Sequence, residues 1–242
     1  MVILPGLSVK SVMTSAAAVA KEYEVMKDDF TVYLIDRRED PPAGYTVADM
    51  ARDTAAAMDA LGLREIYLFG ASMGGMTALT LALDRPDLVR CLALGSSAAR
   101  MGGDEYAVLN RWTGLARDKD REGLFLAFGE AIYPHELFDK YRDAFILLSH
   151  TATDEELERF VIFAEGAKGF DVLGRLTELR CPVLALSAKD DAVLGGDASA
   201  LIAGRLGDRP DFAYHQYDGY GHAAFDTAPD FRDRLYRFFM QY

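Results

Sequence analysis

The chain holds a serine, a histidine and a pair of aspartates in settings that suit covalent acyl transfer. Gly70-Ala71-Ser72-Met73-Gly74 fits G-x-S-x-G, and Gly75 extends it. In this pattern a sharp strand-to-helix turn lifts the serine hydroxyl into view, and the glycines remove side chains that would collide there. A serine hydroxyl is a weak nucleophile until a base takes its proton. Of the four histidines, His135 follows Pro134 and reads as an exposed helix start. His150 closes a helical stretch, and His215 lies inside a strand-like run. His222, in Tyr220-Gly221-His222-Ala223, stands just beyond that run, on a loop where open α/β sheets gather ligands. A carboxylate should orient its imidazole and stabilise the charged form. Asp190 and Asp191 both follow the apolar run Val183 to Ser187, and spacing alone does not separate them. The chain order of serine, aspartate and histidine is that of a nucleophile elbow, unlike the two main protease orders. The negative charge formed on attack needs preorganised N–H groups, and Met73, directly after the serine, offers one.

Short apolar runs separated by single helical periods must position these groups. Val2-Ile3-Leu4, Phe30 to Ile35, Glu65 to Phe69, Cys91 to Leu94, Val183 to Ser187 and Phe212 to Tyr217 read as strands. Helices are expected over Val12 to Met26, Val47 to Leu61, Met76 to Leu83, Asp197 to Leu206 and from about Ala228 to Tyr242. Thr46 with Asp49 makes a capping signal before the second of these. This alternation is the mark of βαβ units around a buried, parallel sheet. It stops after Ser97. From Met101 to Glu178 only helical candidates occur: Tyr106 to Ala116, Arg121 to Ile132, Glu136 to Leu148 and Asp154 to Ala167. Aromatic residues are dense there, among them Trp112, Phe125, Phe128, Tyr133, Phe145 and Phe163. The expected organisation is therefore an α/β core over residues 1–100 and 179–242, with a helical cap inserted at 101–178.

The 242 residues are half apolar, with 26 basic against 38 acidic side chains and a net charge of −12. That balance repels a phosphate backbone, so nucleic acid is not an expected partner. Two cysteines, Cys91 and Cys181, cannot build a disulfide framework or a four-ligand zinc site, and each should sit buried as a thiol. No Rossmann fingerprint, P-loop or H-E-x-x-H asks for a cofactor or a metal. No apolar run is long enough to span a membrane. Ala16 to Ala20 looks superficially like a signal-peptidase site. A basic n-region is lacking, however, and Pro5, Gly6 and Lys10 interrupt the apolar part, so a cytoplasmic start is expected.

These features together resemble the α/β-hydrolase superfamily, in particular its small capped bacterial members of the carboxylesterase and haloperoxidase type. The residues that carry the resemblance are Gly70 to Gly75, Pro182-Val183-Leu184 leading to Asp190-Asp191-Ala192-Val193, and Gly219-Tyr220-Gly221-His222. The resemblance implies the α/β-hydrolase fold, a mostly parallel central sheet flanked by helices with an inserted helical cap. It implies Asp191, rather than Asp190, as the catalytic acid. It also assigns a second oxyanion donor to the residue after a His-Gly pair at the end of the first core strand. Here the equivalent is Pro5-Gly6-Leu7, which makes the donor Leu7; Pro5 replaces the histidine, and backbone donation does not depend on that side chain. Removing residues 1–20 as a leader would delete this donor. The family's antiparallel hairpin ahead of that strand is absent or trimmed, leaving a sheet edge suited to pairing between two chains. Asp36-Arg37-Arg38 resembles the family's Asp-x-Arg-Gly loop and is expected to be a salt-bridging structural loop.

The expected function is that of a serine hydrolase acting on small to medium, mainly apolar carboxylic esters. Ser72, His222 and Asp191 would do the chemistry, with Leu7 and Met73 binding the oxyanion. The same residues could serve a cofactor-free perhydrolase, a thioesterase or a carbon–carbon bond hydrolase. A ligand-sensing signalling protein that retains the triad is the reading from another class.

Overall fold

A computed structural model describes residues 1–103 and 105–242; Asp104, inside the expected insertion, lies outside the described residues. Six strands form one sheet in the order β2-β1-β3-β4-β5-β6. They are β1 (Val2–Leu4), β2 (Tyr33–Leu34), β3 (Ile66–Ala71), β4 (Val89–Gly95), β5 (Val183–Ala188) and β6 (Phe212–Tyr217). Every neighbouring pair is parallel. The strands read as continuous apolar runs because both faces of the sheet are covered. Val2, Leu4, Leu68, Leu92, Leu94 and Val183 face one core, shared with α2 (Val47–Ala60), α3 (Met73–Asp84) and α8 (Ala198–Leu206). Ile3, Phe69, Ala71, Cys91, Ala93 and Leu184 face the other, closed by Tyr23, Met26 and α10 (Phe231–Phe239). Alternate residues of each strand thus feed opposite layers.

The chain leaves β1 for β2 on one side and reaches β3 on the other. The carboxyl ends of β1 and β3 therefore flank the point where strand order reverses, which is where open α/β sheets form a crevice. Register fixes what meets there. Leu4 pairs with Gly70, so Pro5 and Gly6 run on beside Ala71 and Ser72.

Between β4 and β5 the chain builds α4 (Glu105–Arg117), α5 (Arg121–Ile132), α6 (His135–Ser149) and α7 (Asp154–Gly166). Its two ends meet in an antiparallel bridge, Arg100 against Asp171. There Met101 N–H donates to the Phe170 carbonyl and Val172 N–H to the Ala99 carbonyl, each at 2.8 Å. Trp112, Phe128 and Phe160 pack ring on ring between the helices, with centroids 4.7 and 6.0 Å apart. Trp112, Phe125, Phe160 and Phe163 are buried, so these aromatics chiefly hold α4, α5 and α7 together.

Three local expectations differ from the structure. The helix expected over Val12 to Met26 is broken into a 3-10 turn, a short α1 (Ala16–Glu22) and a second 3-10 turn. The segment α1 buries none of its residues, so no packed face holds one continuous helix. Strand β2 uses only Tyr33 and Leu34 of the expected six residues. It is an edge strand whose partner β1 is three residues long, and no longer ladder is available to it. The C-terminal helix, expected from about Ala228, starts only at Phe231 as α10, after Pro229, and a short helix that was not expected, α9 (Ala224–Thr227), precedes it; the missing N–H and fixed φ of Pro229 keep the two from joining. Elsewhere boundaries move by a few residues; α3 starts at Met73, immediately after the serine. The capping box of Thr46 and Asp49 is formed. No helix of the described residues is long and apolar enough to cross a membrane.

Candidate active site

Ser72 sits between β3 and α3 with φ 51° and ψ −121°, a conformation that strains any residue with a Cβ. The turn is held on several sides. Ser72 N–H donates to the Gly95 carbonyl at 2.8 Å, and the Ser72 carbonyl accepts from Gly75 N–H at 2.8 Å and Met76 N–H at 3.2 Å. Ser97 Oγ donates to the same carbonyl at 2.8 Å, and Ser199 Oγ to the Ser97 carbonyl at 2.8 Å. Space explains the glycines. A Cβ on Gly70 would meet the backbone of Gly74, one on Gly74 would meet the Leu4 carbonyl, and one on Gly75 would meet the Ser97 side chain. Strand, turn and helix approach too closely for anything larger.

His222 reaches this turn from the loop after β6. Its Nε2 lies 2.9 Å from Ser72 Oγ and its Nδ1 lies 2.7 Å from Asp191 Oδ2. The carboxylate accepts, so Nδ1 carries the proton and Nε2 is left to accept from the serine hydroxyl. The ring is 2% exposed and meets Phe225 edge-on, with centroids 5.9 Å apart. Asp191 is also buried, and its Oδ1 accepts from Val193 N–H at 2.8 Å and Leu194 N–H at 2.9 Å.

The ambiguity between the two aspartates disappears in three dimensions. Asp190, on the exposed side of the turn, accepts at Oδ2 from Gly221 N–H at 3.0 Å. It holds the histidine's loop, while Asp191 holds the histidine. The other histidines are elsewhere: His135 is exposed and lies 3.4 Å from Asp139, His150 is exposed, and His215 packs edge-on against Tyr217. Cys91 and Cys181 are buried on opposite faces of the sheet. Burial pushes both thiols up, Cys181 to about 11.

Leu7 and Met73, the two proposed oxyanion donors, lie on either side of the serine turn. A Cβ on Gly6 would lie 3.2 Å from Ser72 Cβ and 3.8 Å from its Oγ, which places the Pro5-Gly6-Leu7 turn directly against the serine. Among the described residues neither the Leu7 nor the Met73 N–H donates a hydrogen bond. Both are free to meet a negative oxygen. The loop after β2 only partly matches its expected role. Arg38 pairs with Asp40 and Asp53, but Arg37 donates to the Pro5 and Gly6 carbonyls. The sequence also gave no sign that the helical insertion holds the histidine loop, where Ala223 N–H donates to the Ile132 carbonyl at 2.9 Å. Ile132 ends α5, far from His222 in sequence, so no local pattern could have revealed it.

A family model described as alpha/beta hydrolase fold matches residues 22–229. The chain belongs to the α/β-hydrolase family. It is an enzyme, a hydrolase, as are its named relatives. A protein of Pantoea ananatis named as the carbamate hydrolase RutD is 31% identical over 196 residues, covering 78% of this chain and 68% of that protein. Among solved structures, MGS-M2, an alpha/beta hydrolase enzyme from a Medee basin deep-sea metagenome library, superposes with a TM-score of 0.87 at 18% identity. The match covers 100% of this chain and 89% of that one. The enol-lactonase from Burkholderia xenovorans LB400 gives 0.82 at 20% identity, covering 99% and 91%. At those identities the structural likeness concerns the fold alone. Among the described residues of this hydrolase no group of three or more His, Cys, Asp or Glu could hold a metal ion.

Proposed function

We propose that this hydrolase cleaves small to medium, mainly apolar carboxylic esters through a Ser72–His222–Asp191 triad and an acyl-enzyme. The observation that carries this reading is the unbroken line from Asp191 through His222 to Ser72, at 2.7 and 2.9 Å. Ser72 Oγ attacks the acyl carbon as its proton passes to His222 Nε2. The resulting imidazolium is stabilised by Asp191. The oxyanion lies against the Leu7 and Met73 N–H groups, a contribution of about 3 kcal/mol per donor. Collapse breaks the ester C–O bond, and His222 gives its proton to the departing alkoxide. Water then attacks the acyl-enzyme, with His222 taking its proton, and the acid leaves as Ser72 is restored. The reaction asks for no cofactor. Helices α4 to α7, within residues 101–178, act in this reading as a cap over a core of residues 1–100 and 179–242, and Ser72 is 9% exposed.

The likeness to proteins named as carbamate hydrolases favours a second reading, a carbamate as the acyl donor. The same attack on a carbonyl carbon would serve it.

The test is labelling with a fluorophosphonate probe, followed by turnover of matched aryl acetates and aryl carbamates. Labelling of the wild type and its loss in Ser72→Ala are expected. Labelling that persists in Ser72→Ala would overturn the assignment of the nucleophile, and the ratio of the two turnovers decides between ester and carbamate.

A further inference from the structure

We infer that Arg37 is a positioning residue for the oxyanion site, a clamp that fixes the Pro5-Gly6-Leu7 turn so that the Leu7 N–H stays beside Ser72. The inference rests on the reading of the site as a serine acyl hydrolase. The turn has a conflict built into it. Gly6 occupies a tight place, because a Cβ there would lie 3.2 Å from Ser72 Cβ, closer than side-chain carbons ordinarily pack. A glycine, however, leaves its own backbone freer to rotate than any other residue. Catalysis needs the N–H that follows it to hold one direction.

Arg37 supplies the missing restraint. Its Nη1 donates to the Pro5 carbonyl at 3.0 Å and to the Gly6 carbonyl at 2.8 Å, and its Nη2 donates to Ser8 Oγ at 3.2 Å. Three successive stations around Leu7 are thus held by one rigid, planar group. The peptide from Gly6 to Leu7 is trans, so its C=O and N–H point to opposite edges of one plane. Pinning the Gly6 carbonyl on Arg37 therefore turns the Leu7 N–H away from Arg37. The guanidinium is itself immobilised. Its carbon lies 5.0 Å from the ring centroid of Phe163 on α7, a cation–π contact that links the turn to the helical insertion. Among the described residues Arg37 makes no ion pair with a carboxylate, unlike Arg38, and its Nε has no partner. Its donors are committed to the turn and not to charge neutralisation. Burial and the neighbouring Arg159 push its pKa down from the ordinary arginine value, and an arginine side chain remains protonated in proteins.

The experiment compares wild type, Arg37→Lys and Arg37→Met, each checked for fold by circular dichroism and thermal midpoint. The readouts are kcat and KM on an aryl acetate, and the Ki of a trifluoromethyl ketone, which forms a tetrahedral oxyanion on Ser72. Methionine keeps the apolar stem and removes the donors, and lysine restores a single donor group. Arg37→Met should lower kcat about 10- to 100-fold, less than or equal to the loss of a whole oxyanion donor, with KM within about threefold. The ketone Ki should rise by the factor by which kcat/KM falls, and Arg37→Lys should recover part of both. A folded Arg37→Met variant with kcat within about twofold of wild type would overturn the inference. So would a loss confined to KM, or a loss of kcat that leaves the ketone Ki unchanged. If Arg37→Met does not fold, Arg37→Lys decides alone: kcat and ketone affinity must fall together, and unchanged values refute the clamp. A wild type that neither turns over acyl substrates nor loses labelling in Ser72→Ala fails earlier and differently, and the inference falls with that reading.

Discussion

Replacing Asp191 with asparagine tests the site most sharply, because the surrounding loop dictates how the new side chain must lie. Asp191 Oδ1 accepts two buried N–H groups, from Val193 and Leu194, while Oδ2 faces His222 Nδ1. An amide has one oxygen and one NH2. Placing the oxygen toward His222 would aim the NH2 at two N–H donors. That loses two hydrogen bonds and leaves buried donors unsatisfied, at a cost of about 2–6 kcal/mol. The oxygen therefore stays on the loop in about 97% or more of molecules, and the NH2 faces the imidazole. Nδ1 must then accept, Nε2 carries the proton, and the ring can no longer take a proton from Ser72. Wrong tautomer alone predicts a loss of at least about 30-fold; adding the lost negative charge beside the imidazolium brings it to about 10³–10⁴-fold in kcat. The neighbouring Asp190→Asn is the internal control. Its oxygen can still accept from Gly221 N–H, and exchanging a charged for a neutral acceptor costs about 1 kcal/mol, so kcat should fall less than about tenfold. Initial rates on an aryl acetate near neutral pH, with thermal midpoints for both variants, give the comparison. Asp191→Asn retaining a tenth or more of wild-type kcat, or Asp190→Asn showing the larger loss, would refute the reasoning.

Three further outcomes follow from the packing. Gly74→Ala puts a Cβ against the Leu4 carbonyl, a backbone group at the carboxyl end of β1. Overpacking of about 1–3 kcal/mol should lower the thermal midpoint by about 3–10 °C, and a midpoint equal to wild type would contradict the close approach. Burial holds the Cys91 and Cys181 thiols up, so thiolate is scarce at mildly alkaline pH. A disulfide exchange reagent should find no fast-reacting thiol in the native protein and two in denaturant, and a rapid native reaction would count against the burial of these residues. At the start of α2, hydrogen bonds from Thr46 hold the Asp49 carboxyl below its usual range. A depressed folded value stabilises above the unfolded pKa of about 3.9 and is lost as pH falls through the folded value. Asp49→Asn should therefore be less stable than wild type near neutral pH, with the gap closing below about pH 4 in urea titrations; a gap independent of pH would argue against the capping box as its source.

Much of the fold was legible in the chain because a parallel sheet covered on both faces leaves a loud signal. Val183 to Ala188 is buried at every position, and such runs show without knowledge of their neighbours. The stretch between β4 and β5 was equally visible as the place where strands stop and helical periods take over. Edges were less clear. The apolar residues from Phe30 to Ile35 read as a full strand, yet its length was set by the short β1 beside it. The run from Val12 to Met26 read as one helix, yet a segment without a buried face gains too little from tertiary packing to stay continuous.

The site divides in the same way. Ser72 and His222 stood out because a strained turn needs glycines at fixed spacing and because a loop just past a strand marks itself. Residue chemistry and spacing did not separate Asp190 from Asp191, and only the family resemblance favoured Asp191, since adjacent carboxylates are the same chemistry until a fold points one inward and one outward. Arg37 read as a salt-bridging residue because nothing in the sequence says that its fork will find two carbonyls 31 and 32 positions away. By itself, then, the sequence determined most of the elements, their order, and the serine and histidine proposed as nucleophile and base, all properties of local pattern. Tertiary structure alone gave the physical reason that Asp191 and not Asp190 meets the imidazole, what fixes the Pro5-Gly6-Leu7 turn, and that α5 steadies the histidine loop. Those depend on groups that become neighbours only when distant strands register, and contact between them leaves no local trace in the chain.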